Sequence, residues 1–124
     1  MKLLLDTHAF LWWRLDSRRL GRDARRAIRG ADLVWVSAAT AWEVAIKQAL
    51  GRIQLEEALA AMVEESGFDE LPISFAHAER LQALPVHRTD PFDRMLVAQA
   101  LEEGATLVTH DRQIGVYDVP IVWT

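Results

Sequence analysis

Apolar residues in this chain fall into two kinds of pattern, and the two alternate from one end to the other. Leu3-Leu4-Leu5, Leu33-Val34-Trp35-Val36 and Thr106-Leu107-Val108-Thr109 are short runs without polar alternation, as expected of strands buried on both faces. Between them the apolar spacing changes to three and four. Ala9–Trp13 begins a helix. Leu20, Ala24, Ala27 and Ile28 predict another over Arg18–Arg29, with arginines on its other side and Gly30 at its end. Ser37 can cap a helix that runs through Trp42, Ala45, Ile46, Ala49 and Leu50 until Gly51 stops it. A further amphipathic helix fits Leu55–Glu65, and Phe75–Leu84 reads as helical up to Pro85. Glu70–Ile73 fits an edge strand, because Pro72 has no N–H to give a neighbour. Asp90-Pro91-Phe92-Asp93 is a helix start, with Asp90 as N-cap and Pro91 in the first position; that helix ends at Gly104. Pro120–Trp123 is the last strand.

Strands alternating with helices predict an α/β fold whose central sheet is mainly parallel and covered on both faces. At 124 residues the chain has the length of one domain, read here as residues 1–124, and it contains no repeat, linker or low-complexity tract. Its 51% hydrophobic content excludes a disordered chain. No apolar run approaches the ~20 residues that span a bilayer, and the absence of cysteine leaves no disulfide or thiolate metal site. A cytoplasmic protein is the simplest expectation. The net charge of −4 argues against a generally basic nucleic-acid binder. Charge is nonetheless segregated: seven arginines crowd Arg14–Arg29, either as a patch for phosphates or as a solvated helix face.

Four acids stand apart because each lies in or beside an apolar segment: Asp6, Glu43, Asp93 and Asp111. A carboxylate so placed shifts its pKa, pairs with a cation or binds a metal. In a parallel α/β sheet, ligands bind beyond the carboxyl ends of the strands. Asp6 follows the first strand, Asp111 follows the Thr106 strand, and Asp93 opens the helix that feeds it. If all four meet, their repulsion calls for a hard cation such as Mg²⁺ or Mn²⁺. Each acid has a plainer role open to it. Asp6 can end a strand, Glu43 can pair with Lys47 four residues on, Asp93 can favour the helix dipole, and Asp111 can cap a turn. Asp90 is explained best as a cap. His8, His87 and His110 lack the pairing of a zinc site, while His8 and His110 can line the crevice; His77 reads as structural. The five tryptophans read as core or interface groups. No GxxxxGK[ST], GxGxxG or G-x-S-x-G motif is present.

Taken in order, Leu4-Leu5-Asp6-Thr7-His8, the stretch Ser37–Lys47 with Trp42-Glu43-Val44-Ala45-Ile46-Lys47, Asp90-Pro91-Phe92-Asp93-Arg94 on to Ala98-Gln99-Ala100, and Thr109-His110-Asp111 give the chain a specific likeness. It resembles a PIN-domain ribonuclease of the VapC toxin type over essentially its whole length. The resemblance implies a PIN-like three-layer α/β/α sandwich. It also implies a metal-dependent endoribonuclease whose acidic quartet is Asp6, Glu43, Asp93 and Asp111, with a Mg²⁺ or Mn²⁺ cofactor. Asp90 would then support the site from behind. Thr7 and Thr109 are expected to donate hydrogen bonds to carboxylates or to the scissile phosphate, and Lys47 and Arg94 to contact phosphate. The expected partners are an RNA substrate, a cognate antitoxin protein and a second copy of the chain in a homodimer, with no membrane. The competing expectation is a non-catalytic PIN-like binding module that acts through a protein partner and keeps its acids for structure.

Overall fold

Leu3, Leu4 and Leu5 are all fully buried, yet they do not share a core. In the computed structural model, which describes residues 1–87 and 90–124, they form strand β1 (Lys2–Leu5). Leu3 and Leu5 pack with Phe10, Leu20, Ala24 and Val63, whereas Leu4 packs with Leu96, Val97, Leu107 and Ile114. Side chains of a strand point alternately to opposite faces, so each face of the sheet has its own core. β2 (Leu33–Ser37) and β4 (Thr106–Thr109) flank β1, and β3 (Asp69–Leu71) and β5 (Ile121–Trp123) lie outside them. The order is β3-β2-β1-β4-β5, and every pairing is parallel.

Helices α1 (Thr7–Arg14), α2 (Arg22–Gly30) and α4 (Leu59–Glu65) supply the first core, and α3 (Ala38–Ala49), α5 (Phe75–Ala83) and α6 (Pro91–Glu103) the second. The result is an α/β/α sandwich, as expected. Among the described residues no helix is long and apolar enough to cross a membrane.

Several boundaries differ from the sequence reading for local reasons. The single helix expected over Arg18–Arg29 is a 3-10 turn at Arg18–Leu20, then Gly21 at φ +79°, then α2. Glycine adopts this backbone without strain, and Leu20 and Ala24 reach the same core across the break, so the apolar spacing conceals it. The helix expected from Leu55 begins at Leu59, although Leu55 still packs on the first core. β3 covers Asp69–Leu71 rather than Glu70–Ile73, and it does lie at an edge. α1 begins two residues early, at Thr7, because Asp6 caps it. The start of α6 is as predicted: an Asp90 carboxylate oxygen accepts from the N–H groups of Phe92 and Asp93 at 2.9 and 3.2 Å.

This topology determines where a ligand can reach the sheet. From β1 the chain winds outward through β2 and β3, and later returns to lay β4 and β5 on the other side. The winding reverses between β1 and β4, and open α/β sheets take their ligands at such a reversal, beyond the carboxyl ends of the strands.

Candidate active site

Asp6 stands at that reversal. Its N–H still bonds Val108 of β4 at 3.0 Å, which continues the strand register by one residue. Its side chain turns into the first turn of α1, where one carboxylate oxygen accepts from the Ala9 N–H at 2.8 Å. The other oxygen accepts from the Thr109 hydroxyl at 2.6 Å. Both donors are neutral, and Asp6 is only 7% exposed. Burial therefore pushes its carboxyl above the usual range; the Thr109 and Ala9 hydrogen bonds and the His8 charge pull it down, and the charge of Glu43 pushes it up. Among the described residues Asp6 has no ion-pair partner.

Glu43 comes to the same place from α3. One of its oxygens accepts from the Thr7 hydroxyl at 2.6 Å, and the other lies 3.3 Å from the Lys47 ammonium. Glu43 is thus steered by Thr7, the residue after Asp6, while Lys47 offsets part of its charge from the solvent side. Thr40, one turn before Glu43 on the same helix face, lies 3.4 Å from the Thr7 hydroxyl and is itself buried. The sequence reading passed over Thr40; its spacing of three from Glu43 was the available signal.

Asp111 is joined to Asp6 through one atom. The Thr109 hydroxyl oxygen that donates to Asp6 accepts from the Asp111 N–H at 3.0 Å. An Asp111 carboxylate oxygen accepts from the Gln113 N–H at 3.0 Å and caps the 3-10 turn Arg112–Val116. Asp93 is half-buried in the first turn of α6. Its neighbour Phe92 meets Trp42, the neighbour of Glu43, edge-on at 5.0 Å between ring centres, and so ties the start of α6 to the middle of α3.

The Arg94 guanidinium donates to the Pro85 carbonyl at 2.9 Å, the Tyr117 hydroxyl at 3.2 Å, and the Leu81 and Leu84 carbonyls at 3.4 Å. It closes the end of α5, where carbonyls lack helical partners. Of the early arginines, Arg14 pairs with Glu57 and Glu65, and Arg25 with Asp16, so that patch is partly neutralised within the chain.

Among the described residues no group of three or more His, Cys, Asp or Glu draws together tightly enough to hold a metal ion. Asp6 and Glu43 interact directly through their charges, and Asp111 is linked to Asp6 through Thr109. Carboxylate oxygens are the donor type that Mg²⁺ and Mn²⁺ take. Mg²⁺ typically takes one or two carboxylates and fills its remaining positions with water and substrate phosphate oxygens. A buried carboxylate with neutral partners, near a second one, is an arrangement that such an ion offsets.

Known proteins share this frame. Residues 3–120 match the PIN domain family. The chain is 30% identical over 115 residues to ribonuclease VapC22 of Mycobacterium tuberculosis (strain ATCC 25618 / H37Rv), covering 90% of this chain and 88% of that protein. Among solved structures, VapBC2 from Rickettsia felis bound to a DNA fragment from its promoter has a TM-score of 0.73 at 12% identity, covering 99% and 98% of the two chains. DNA-bound VapBC from Salmonella typhimurium has a TM-score of 0.71 at 16% identity, with the same coverage. A toxin–antitoxin complex from Klebsiella pneumoniae has a TM-score of 0.66 at 20% identity, covering 97% and 95%.

Proposed function

The chain belongs to the PIN-domain family, in its VapC-type branch, and we propose that it is a metal-dependent endoribonuclease, the toxin of a toxin–antitoxin pair. The observation that carries this reading is Asp6: a buried carboxylate beside the charge of Glu43, at the reversal of the sheet, with only neutral hydrogen-bond partners among the described residues. Such a charge costs stability unless something outside the chain offsets it. The identity to a protein named a ribonuclease supports RNA as the substrate.

In phosphodiester hydrolysis a water oxygen adds to phosphorus as the bond to the leaving oxygen breaks. The attacking water must lose a proton and the leaving oxygen must gain one. Bound Mg²⁺ or Mn²⁺ supplies a more acidic water and positive charge against the phosphoryl oxygens. Asp6 and Asp93 are its proposed direct ligands, and Glu43 and Asp111 complete the acidic set by holding water or a second ion. Thr109 fixes the orientation of Asp6, and Thr7 fixes that of Glu43. Lys47, on the solvent side of Glu43, is the proposed phosphate contact, and Asp90 holds the first turn of α6 so that Asp93 stays in place. Without a cation the acidic mouth repels RNA, so metal dependence follows from electrostatics.

The proposed protein partners are a cognate antitoxin and a second copy of this chain. Support comes from the assemblies named above and from Trp42 and Ile46 of α3 with Leu50 at its C-cap, which recur every fourth residue at 57%, 40% and 61% exposure. An exposed apolar stripe of this kind is covered in an assembled protein.

The test is RNA cleavage by protein purified free of partner, with Mg²⁺, with Mn²⁺ and with EDTA. Cleavage should require the metal and should vanish in the double variant Asp6→Asn, Asp93→Asn. Undiminished cleavage by that variant refutes the mechanism, and no cleavage by the wild type with either metal leaves the non-catalytic binding module.

A further inference from the structure

Beside the acidic crevice lies an open slot of ≈ 370 Å³ lined by His8, Trp12, Arg19, His110 and Thr124. His8 and Trp12 are stacked, with ring centres 5.6 Å apart and planes inclined by 27°. His110 meets Trp12 edge-on, 5.2 Å away at 77°. The Arg19 guanidinium carbon lies 6.0 Å from the centre of the Trp12 ring. Three rings and a cation thus gather on one patch, and His8, Arg19 and His110 are exposed.

This grouping has no structural necessity. Trp12 is half-buried and packs at the margin of the first core, which needs neither histidine. The slot adjoins the site through the backbone: His8 lies two residues after Asp6, and His110 separates Thr109 from Asp111. His8 is also close enough for its charge to act on Asp6. Thr124, the remaining lining residue, carries a buried hydroxyl with no hydrogen-bond partner among the described residues. Flat rings present a stacking surface to any base, and an exposed guanidinium beside them meets the backbone phosphate.

We propose that the slot formed by His8, Trp12, Arg19 and His110 is a nucleobase subsite, which holds one unpaired base of a single-stranded RNA next to the scissile phosphate while Arg19 contacts the chain's phosphate. The assignment rests on the ribonuclease reading for its substrate. It adds that recognition runs through a splayed-out base stacked on Trp12.

The experiment removes bases from the substrate rather than only side chains from the protein. A short single-stranded oligoribonucleotide with one known cut is made with an abasic ribose at each position in turn. Cleavage in Mg²⁺ and binding anisotropy with Ca²⁺ in its place, a hard cation that also takes oxygen ligands, are then measured for wild type, Trp12→Ala and Trp12→Phe, with thermal melting as the check on folding. For wild type, an abasic ribose at one position flanking the cut should raise KM about tenfold and weaken anisotropy binding equally, as loss of one stacked base does. Trp12→Ala should show a similar loss on the intact substrate and no further loss at that position, whereas Trp12→Phe should retain the position dependence. If Trp12→Ala does not fold, the abasic scan of wild type and Trp12→Phe still decides. Equal effects at every abasic position overturn the subsite and leave cleavage itself standing. Position-dependent binding without cleavage retains the subsite and sinks the ribonuclease reading. Absence of both overturns both.

Discussion

Two buried polar networks lie on this sheet, and they differ in how each disposes of its charge. Behind the second core, Gln99 is fully buried and accepts from the Ser37 hydroxyl, while its amide nitrogen lies 3.4 Å from both the Pro72 carbonyl and His77 Nδ1. His77 Nδ1 accepts from the Ser74 N–H at 3.0 Å, so the ring proton belongs on Nε2, which lies 2.8 Å from a Glu103 carboxylate oxygen that reaches solvent. Every member is neutral or meets water. At the carboxyl edge, by contrast, Asp6 is buried with two neutral donors and Glu43 nearby. The first network satisfies itself and specifies how α5, α6 and β2 meet. The second leaves a buried carboxylate with neutral donors, and that is the charge the proposed metal would offset.

The comparison can be broken by exchanging acids for amides. Asp6→Asn should lower cleavage on the order of 10²–10³-fold, the usual cost of losing one preorganised electrostatic group, while the melting temperature in EDTA holds or rises. A fall in melting temperature without loss of cleavage would place Asp6 with the structural network. Saturating Mn²⁺ should stabilise the wild type by about 2.7 kcal/mol at a hundred times its Kd, and this gain should be absent in Asp6→Asn but present in Gln99→Ala. Calorimetry with and without EDTA reads it.

Gln99→Ala should show the opposite profile. It leaves the Ser37 hydroxyl hydrogen without its buried acceptor and should cost about 1–3 kcal/mol in chemical denaturation, with cleavage per folded molecule unchanged. The pH dependence sharpens the same contrast. Asp6 ionises less readily in the folded chain than in the unfolded one, so its contribution to stability is complete below the unfolded value of 3.8 and is lost as pH rises through the raised folded value. In EDTA the wild type should therefore lose ground to Asp6→Asn across that rise, and the two should converge below it. The smallest effect is expected where charges are exposed: Arg80→Ala, which breaks the pair with Glu102, should change stability by less than about 0.5 kcal/mol.

Local chemistry was legible in the sequence, and long-range partnership was not. The cap at Asp90, the proline after it and the stop at Gly104 define α6 from residues a few positions apart, and the structure places them so. The strand runs also held, because a side chain's neighbours on a doubly covered sheet are apolar whichever way it points. The break at Gly21 was hidden because Leu20 and Ala24 serve one core from either side of it. The hydrogen bonds of Arg94 to the carbonyls ending α5 gave no local signal, because these partners become neighbours only when α5 and α6 pack together. The acids were recognisable by their setting. Which of them meet, and through what atom, was beyond reading, since Asp6 and Thr109 are 103 residues apart.

The hydroxyl of Thr109 has one hydrogen to give, and Asp6 receives it. That oxygen takes its own incoming hydrogen from the Asp111 amide, so the row of donors runs in one direction, from the loop beyond β4 toward the central strand. Thr109 is consequently committed and has nothing left to offer a passing phosphate. Thr109→Ser would preserve the row, whereas Thr109→Val, equal in bulk, would cut both links and let the loop and the carboxylate drift independently.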